Sequence, residues 1–532
     1  MTTRPSVCVL TFLLCLFFSS AVADVPLHRD WEAYQGGSLG SHPKQNFHSA
    51  PHVWAPVWQV NKLDLDRVDK APYIFLAGGY NESQFGPSII SSQDLSLVWA
   101  DEKYARSTQT RPFVFKGQHV LASYAGEGIR IYNQYYQLLY NIQSHLANHT
   151  PDGHEMYLTE DETFIVNAWH GDSADLRAFG GLEDGIVINA HFQEIDPVTD
   201  TTPEGDYLVS IKHIWCILLI DGRTSQVKWI MGGKHNQFKD ISTNNTATFR
   251  WQHNPRLHGT NRMTLLDNSQ HHNGFCSQGA PGVHCTRGLE IEFDPVAMTR
   301  RVVNEWYHPQ GIITATRGSV QPLQDSGNTL IAWGQNALLT EYAPDGEVVM
   351  DVQRNRVEDG PIWPQPSYIY RAWKGDWEGK PLWGPNISAN ADPISGKKTI
   401  YVSWNGATEV KKWVLLLSDS QSNLTGADNV ASESPRMGFE TGFKLPRPAT
   451  FARIAAVDKN DAVIGSTPAV HIASGTLYPL DYQVLNIKRP QDAAKGPEYH
   501  VTTVSPSVLG NFNDISSLPL YLASATSVGF AA

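Results

Sequence analysis

Three segments of this chain repeat one layout: HEMYLTEDETF from His154, HNPRLHGTNRM from His253 and VQPLQDSGNTL from Val320. In each, the opening residue stands the same interval ahead of an apolar one (Phe164, Met263 or Leu330), with turn formers between. A strand-turn-strand unit of this size cannot bury its apolar face alone. It must stack against copies of itself, which points to a radially repeated β architecture. A second repeated element accompanies it: FQEIDPVTD, LLIDGRTSQVKWIMG, LEIEFDPVAMTRRVVNEW and LTEYAPDGEVVMDV. Most of these read as an apolar strand, an Asp-containing tight turn and a second strand, the form of an outer hairpin.

Short strands such as PYIFLAGG, HVLASYAG, GDYLVSIKH and GNTLIAWG fill the rest of residues 24–374, bounded by Gly, Asp, Asn and Pro. The hairpin spacing is uneven. A four-stranded blade takes roughly 40–50 residues. Asp294 to Ala343 fits that length, Asp221 to Asp294 exceeds it, and Asp196 to Asp221 falls well short. One sheet is therefore expected to be truncated. From about Gly375 the pattern changes, and TIYVSWNGATEVKKWVLLL and FARIAAVDKNDAVIGST read as alternating strands of a small β-sandwich over 375–475. The Pro/Ser-rich stretch 476–532 shows no periodicity and reads as an irregular tail.

The chain opens with a secretory signal over residues 1–23: Arg4, an apolar run from Val7 to Phe18, and Ala21-Val22-Ala23 before Asp24. No later run is long and apolar enough to span a bilayer, so an exported protein without stable membrane insertion is expected. Cys8 and Cys15 leave with the signal. Cys276 and Cys285 bracket a Gly/Pro-rich loop and are expected to pair in an oxidising compartment, closing a loop worth about 3 kcal/mol. Cys216, in IWCILLI, reads as a small buried hydrophobe. Five N-x-S/T sequons, at Asn81, Asn148, Asn244, Asn386 and Asn423, favour a glycoprotein. The net charge of −12 carries no basic cluster, which argues against nucleic acid as a partner. No metal site is read: His271, His272 and His284 match no standard ligand spacing, and Asp64 and Asp66 lack a calcium loop.

Taken in order, PYIFLAGG, FQEIDP, IDGRTSQVKWIMGG, FRWQHN, GNTLIAWG, EYAPDGEVV and YVSWNGATEV resemble the secreted fungal arylsulfotransferase-like family from about residue 50 to 475. The resemblance implies an all-β chain, a six-bladed β-propeller followed by an immunoglobulin-like region. It also implies transfer of a sulfo group from a phenolic sulfate ester to another phenol through a histidine near the central channel, with no nucleotide donor and no cofactor. A neutral imidazole is a competent nucleophile near pH 7, and a covalent intermediate divides one transfer into two easier steps. Arginine's planar fork suits sulfate oxygens, and aromatic rings would hold the phenols.

His253 leads the candidates, since it matches the WQH motif and opens a repeat; the alternative is a histidine that only organises its blade. His154, in DGHEM, holds the equivalent place in another repeat, so the two should converge on one axis. Arg256 and Arg317 are candidate sulfate ligands, against a reading as ion-paired residues. His213, in SIKHIW, is a candidate substrate residue, with a satisfied core or strand histidine as the blander reading. Trp251 and Trp333 are candidates for a phenol pocket, against core packing. Two departures from the family pattern fall near the expected channel. The chain passes almost directly from EIDPVTD to TPEGDYLVS, where other members carry a longer stretch with a further histidine, and it reads RGSVQ where they more often carry QGN-Q. Three functions follow: sulfotransfer on phenols, a propeller enzyme recruited to modify an aromatic or polyketide metabolite, or a non-catalytic extracellular binding module.

Overall fold

The computed structural model describes residues 20–480 and 530–531, except 81–85, 105–106, 126–127, 147, 198–204, 244–245, 271, 277–283, 358–366, 392–395 and 425. Most of the signal segment, Asn81, Asn244, His271 and the body of the tail lie outside the described residues. The regular structure of the described chain is almost entirely β-strand, and its described residues divide into two units, 24–383 with 404–409 and 384–403 with 410–480.

In the first unit, six antiparallel sheets follow one another along the chain, in the manner of β-propeller blades. Sheet 1 holds Tyr73–Tyr80, Ser88–Ser91 and Leu97–Ala100. Sheet 2 runs from Gln109–Phe115 to Leu138–Ile142. Sheet 3 contains Thr150–Leu158, Phe164–Ala174 and Gly185–Ile195. Among the described residues sheet 4 has three strands, Asp206–Ile211, Cys216–Asp221 and Val227–Gly232. Sheet 5 contains His253–His258, Arg262–Asp267, Arg287–Asp294 and Thr299–Tyr307, and sheet 6 runs from Ser319–Pro322 to Val348–Gln353. The short fourth sheet is the one that follows the contracted interval after Asp196.

Apolar cores lie between neighbouring sheets. Val120, Ala122 and Ile131 of sheet 2 pack with Met156, Phe164 and Val166 of sheet 3. Ile217, Trp229 and Met231 of sheet 4 pack with Met263, Leu265, Leu289 and Ile291 of sheet 5. Phe164, Met263 and Leu330, the in-register apolar residues of the repeat, are all buried on the second strand of their sheets. The period of two that the sequence displays is thus the alternation of faces between one inter-sheet core and the next.

The first strands of the sheets adjoin around an inner rim. His253–His258 lies against Asp206–Ile211 on one side and Ser319–Pro322 on the other. Ser319–Pro322 lies against Ser367–Gly375, which adjoins Gln109–Phe115, and that strand adjoins Thr150–Leu158. The ring is fastened by segments distant in sequence. Ser367–Gly375 pairs with Tyr73–Tyr80 to complete sheet 1, and Gln59–Leu63 pairs with Val348–Gln353 to complete sheet 6. At this junction Lys374 Nζ donates to Glu341 Oε2 at 2.8 Å, with both side chains fully buried. Glu341 Oε1 accepts from the Asp69 backbone N–H and from Asn328 Nδ2, each at 2.6 Å. Gln321 bonds both the N–H and the C=O of Lys374.

A second buried network joins sheets 5 and 6. His308 Nε2 lies 3.1 Å from Asp351 Oδ1, which also accepts from Thr340 Oγ1. Thr340 in turn accepts from Trp333 Nε1 at 2.9 Å.

The second unit consists of two antiparallel sheets. One pairs Asn386–Ala391, Lys398–Ser403 and Glu440–Lys444, and the other centres on Lys412–Ser418 and Phe451–Val457. Val414, Leu416, Ala455, Val457 and Val463 form its core.

Removing one partner of a buried ion pair strands the other, at a cost of about 3–5 kcal/mol. Lys374→Met should therefore lower the unfolding free energy of the first unit by that order, read from the fall in its urea midpoint followed by tryptophan fluorescence. A shift no greater than that of a surface lysine control would show that ring closure does not depend on this pair.

Candidate active site

Three of the rim strands break register at an irregularity, and each break carries polar side chains. The pairing of Thr150–Leu158 shifts between Asp152 and Met156, that of His253–His258 between His253 and Arg256, and that of Ser367–Gly375 between Ile369 and Arg371. Bulges re-aim side chains that regular alternation would send into the inter-sheet cores. Two residues show the local requirement. Asn254 sits at φ 55° and is buried, with its Oδ1 accepting from the Val320 N–H at 3.3 Å. Gly153 passes so close to Tyr124 and Thr108 that a Cβ would stand 2.3 Å from the Thr108 hydroxyl and 2.7 Å from the Tyr124 ring.

His253 is half-buried and held at both ring nitrogens. Nδ1 lies 2.7 Å from Asn268 Oδ1, and Asn268 Nδ2 donates to the carbonyls of Thr314 and Arg317. Because the amide nitrogen is committed to carbonyls, Oδ1 faces the imidazole and Nδ1 must carry the proton. Nε2 then holds the lone pair, 3.2 Å from Thr316 Oγ1. Lys212 Nζ donates to that same hydroxyl at 3.1 Å. Burial, then the nearby charge of Lys212, holds His253 well below the usual imidazole range; His154 and Arg371 add to the effect, and the Asn268 bond opposes it. The imidazole is therefore neutral at pH 7. Gln252 secures the neighbouring turn: its Nε2 donates to Ser210 Oγ, to the Ile211 carbonyl and to the Cys216 carbonyl.

His154 is exposed, with Nδ1 2.6 Å from Asp152 Oδ1. Its ring stacks on Trp169 at 5.7 Å and meets Tyr370 edge-on at 6.2 Å. The next residue, Glu155, receives Arg256 Nη2 from sheet 5 and Arg371 Nη1 from sheet 1 at 2.9 Å each. Arg371 Nη2 also donates to the His154 carbonyl at 2.9 Å, so the ion pair fixes the backbone beside His154. Burial would raise the Glu155 carboxyl, but the two guanidiniums outweigh it and bring it to about 2. Burial also works against the Arg256 cation, so the net gain from the cluster is smaller than the Glu155 shift alone suggests. Arg111 completes the positive surround, its guanidinium 4.2 Å from the Trp373 ring and 4.4 Å from that of Phe113.

A family model for arylsulfotransferase (ASST) matches residues 111–202 and 200–356. Over this span, somewhat under half of the chain, the sequence is similar to arylsulfotransferases. The two matched segments meet at 200–202, within the interval where the hairpin spacing contracts. No curated protein matches the chain. Among solved structures, it is similar to a protein of unknown function from Bacteroides caccae, at 12% identity over 57% of this chain and 98% of that one, with a TM-score of 0.34. It is also similar to the Cps50 (Swd1) β-propeller domain of Myceliophteria thermophila, at 10% identity over 64% and 98%, with a TM-score of 0.28.

Within the family region, the structure brings His253 and His154 to the same rim, where they interact electrostatically. Arg256 is there as well, bound to Glu155. Arg317 is buried, bonds Gln335 Oε1 and lies 3.9 Å from the Tyr368 ring. His213 is not a core or strand histidine: it is exposed on the 3-10 turn Lys212–Ile214 and meets Trp251 edge-on at 5.4 Å. Trp251, half-buried at φ 54°, lies beside Lys212. Trp333 is a correction: it is fully buried, its indole N–H is spent on Thr340, and it cannot line a pocket. The Cys276–Cys285 disulfide is present, and Cys216 is buried with a free thiol. No described residues form a metal-ligand group. Two shallow grooves, along Arg29, Trp31 and Gln310 and along Lys62, Glu347 and Val348, hold none of the rim histidines.

Sequence reasoning missed Lys212, Glu155, Asn268, Thr316 and Arg371. Lys212 and Glu155 each adjoin a histidine already singled out. Arg371 carries no local signal, because only ring closure brings its strand to the rim.

A carboxyl lowered from 4.5 to about 2 contributes stability that is present above the unfolded value and lost as pH falls through the folded one. Glu155→Gln should cost about 3 kcal/mol near pH 7, and variant and wild type should converge as pH falls from about 4.5 towards 2. Urea denaturation across that range measures it; a difference independent of pH would contradict the assignment.

Proposed function

We propose that the protein moves a sulfo group between phenolic compounds through His253, with no nucleotide donor. The observation that carries this reading is the His253 ring: Nδ1 fixed as the donor to Asn268, Nε2 holding the lone pair, and a surround that keeps the imidazole neutral. In the first half-reaction Nε2 attacks the sulfur of an aryl sulfate, the S–O(aryl) bond breaks and the phenol oxygen leaves with its electron pair. In the second, the oxygen of an acceptor phenol attacks the same sulfur and the N–S bond breaks, returning the imidazole. Arg371, Arg256, Arg111 and Lys212 supply the positive field for the sulfate oxygens, a preorganised form of charge stabilisation. Trp169 and Trp251 offer ring faces for the phenols, and the Asp152-oriented His154 stacks on the first of them.

The contracted interval before the three-stranded fourth sheet favours one second reading, in which the same rim modifies an aromatic or polyketide metabolite by different chemistry. We also place the protein outside the cell, released after Ala23 and glycosylated. The disulfide and the exposed sequon residues Asn148 and Asn423 support this.

Incubation of the purified protein with 4-nitrophenyl sulfate should release 4-nitrophenol and leave one sulfo group on His253, read by peptide mass spectrometry. His253→Ala should abolish both signals, and His154→Ala should lower turnover by about a hundredfold. Because the folded pKa of His253 is lowered, protonation of the nucleophile should not limit the rate until pH falls well below 6.5. If the wild type turns over no aryl sulfate and no histidine is labelled, the proposal fails.

A further inference from the structure

Taking His253 as the sulfur acceptor, we infer that Lys212 is the general acid and base for the phenol oxygen, which makes this site competent for sulfate esters of unactivated phenols.

The geometry is a chain of three groups. Lys212 Nζ lies 3.1 Å from Thr316 Oγ1, and Thr316 Oγ1 lies 3.2 Å from His253 Nε2. An ammonium has only protons to give, so the Thr316 oxygen accepts from Lys212 and turns its own hydrogen towards the imidazole lone pair. Nζ is therefore one hydroxyl away from the atom that attacks sulfur, within reach of an oxygen attached to that sulfur. The position is built from the backbone upward. Lys212 opens the 3-10 turn that ends the first strand of sheet 4, Trp215 closes the turn at φ 57°, and Gln252 clamps both sides of it from the residue preceding His253. Trp251 places its ring 5.7 Å from the ammonium. Each residue of the WQH motif thus serves one assembly: a ring beside the lysine, a latch for its turn, and the imidazole.

The chemistry requires such a group. A phenolate with no electron-withdrawing substituent is a poor leaving group, and a neutral acceptor phenol is a poor nucleophile until it loses its proton. Burial, then the like charge of Arg317, brings Lys212 down to about 8, between neutral pH and the pKa of a phenol. In the first half-reaction the Nζ proton passes to the departing aryl oxygen as the S–O bond breaks, leaving a free phenol, sulfo-His253 and a neutral amine. In the second, the neutral amine takes the acceptor phenol's proton as its oxygen bonds sulfur and the N–S bond breaks. Atoms and charge balance over the cycle.

The test compares leaving groups. For Lys212→Met and Lys212→Arg, the loss of turnover on phenyl sulfate should exceed that on 4-nitrophenyl sulfate by about a hundredfold or more. Arg keeps the positive charge but cannot surrender its proton, so it should not rescue. Wild-type turnover of phenyl sulfate under single-turnover conditions should fall as pH rises through about 8, and neither variant should show that limb. Equal losses on both esters, or rescue by Arg, would leave Lys212 only its electrostatic role toward the sulfate oxygens and overturn the inference while leaving sulfo-His253 intact. A wild type that labels no histidine overturns the underlying reading instead, so the two failures are distinct.

Discussion

One carboxylate organises the inner rim. Glu155 sits on sheet 3, yet it takes Arg256 from sheet 5 and Arg371 from sheet 1. Two guanidiniums this close repel each other unless an anion lies between them, and Glu155 supplies it from a bulged strand. Because Arg371 also grips the His154 carbonyl, the ion pair and the backbone at the histidine cannot move independently. Arg371 reaches this place only because its strand closes the first sheet from the far end of the unit. The buried Lys374–Glu341 pair, three residues along the same strand, anchors that closure. The electrostatics of the site and the topology of the ring are thus one constraint read at two places.

Much of the fold is legible in the sequence because period two and the spacing of turn residues are local properties. The in-register triplet His154, His253 and Val320 falls on first strands, and its apolar partners Phe164, Met263 and Leu330 are buried on second strands. The short interval after Asp196 precedes a three-stranded sheet for the same reason: twenty-odd residues cannot hold four strands and their turns. The site is less legible. The histidines mark two corners of it, but Glu155, Arg371 and Lys212 are set by bulges and ring closure, which leave no periodic trace. Trp333 illustrates the opposite error. A tryptophan in GNTLIAWG reads equally as a phenol-pocket or a core residue, and the structure commits its indole to a hydrogen-bonded chain through Thr340 and Asp351 to His308.

The departures from the family pattern acquire physical content here. Gln321, the last residue of RGSVQ, bonds both backbone groups of Lys374 and so belongs to ring closure. Arg317, which opens that stretch at φ 68°, lies over Tyr368 and depresses the Lys212 ammonium. A substitution here therefore acts on the charge of a lysine two sheets away, adding to the effect of its burial, without altering the strand. The contraction after Asp196 acts differently, since it removes material between sheets 3 and 4, the sheets that bear His154 and Lys212.

Positive charge at the rim exceeds what Glu155 and Asp152 neutralise, and the two sides of the rim differ in how their cations are held. Arg256 and Arg371 are tied to a carboxylate, so an entering sulfate competes with Glu155 for them and gains little. Lys212 is bonded to a hydroxyl, which an anion can displace at small cost. In the reaction proposed above, the field that an aryl sulfate would meet is therefore less compensated on the side where His253 presents its lone pair. A neutral nucleophile needs this asymmetry: a site whose cations were all free would bind sulfate tightly in the ground state, and binding of that kind does not speed transfer.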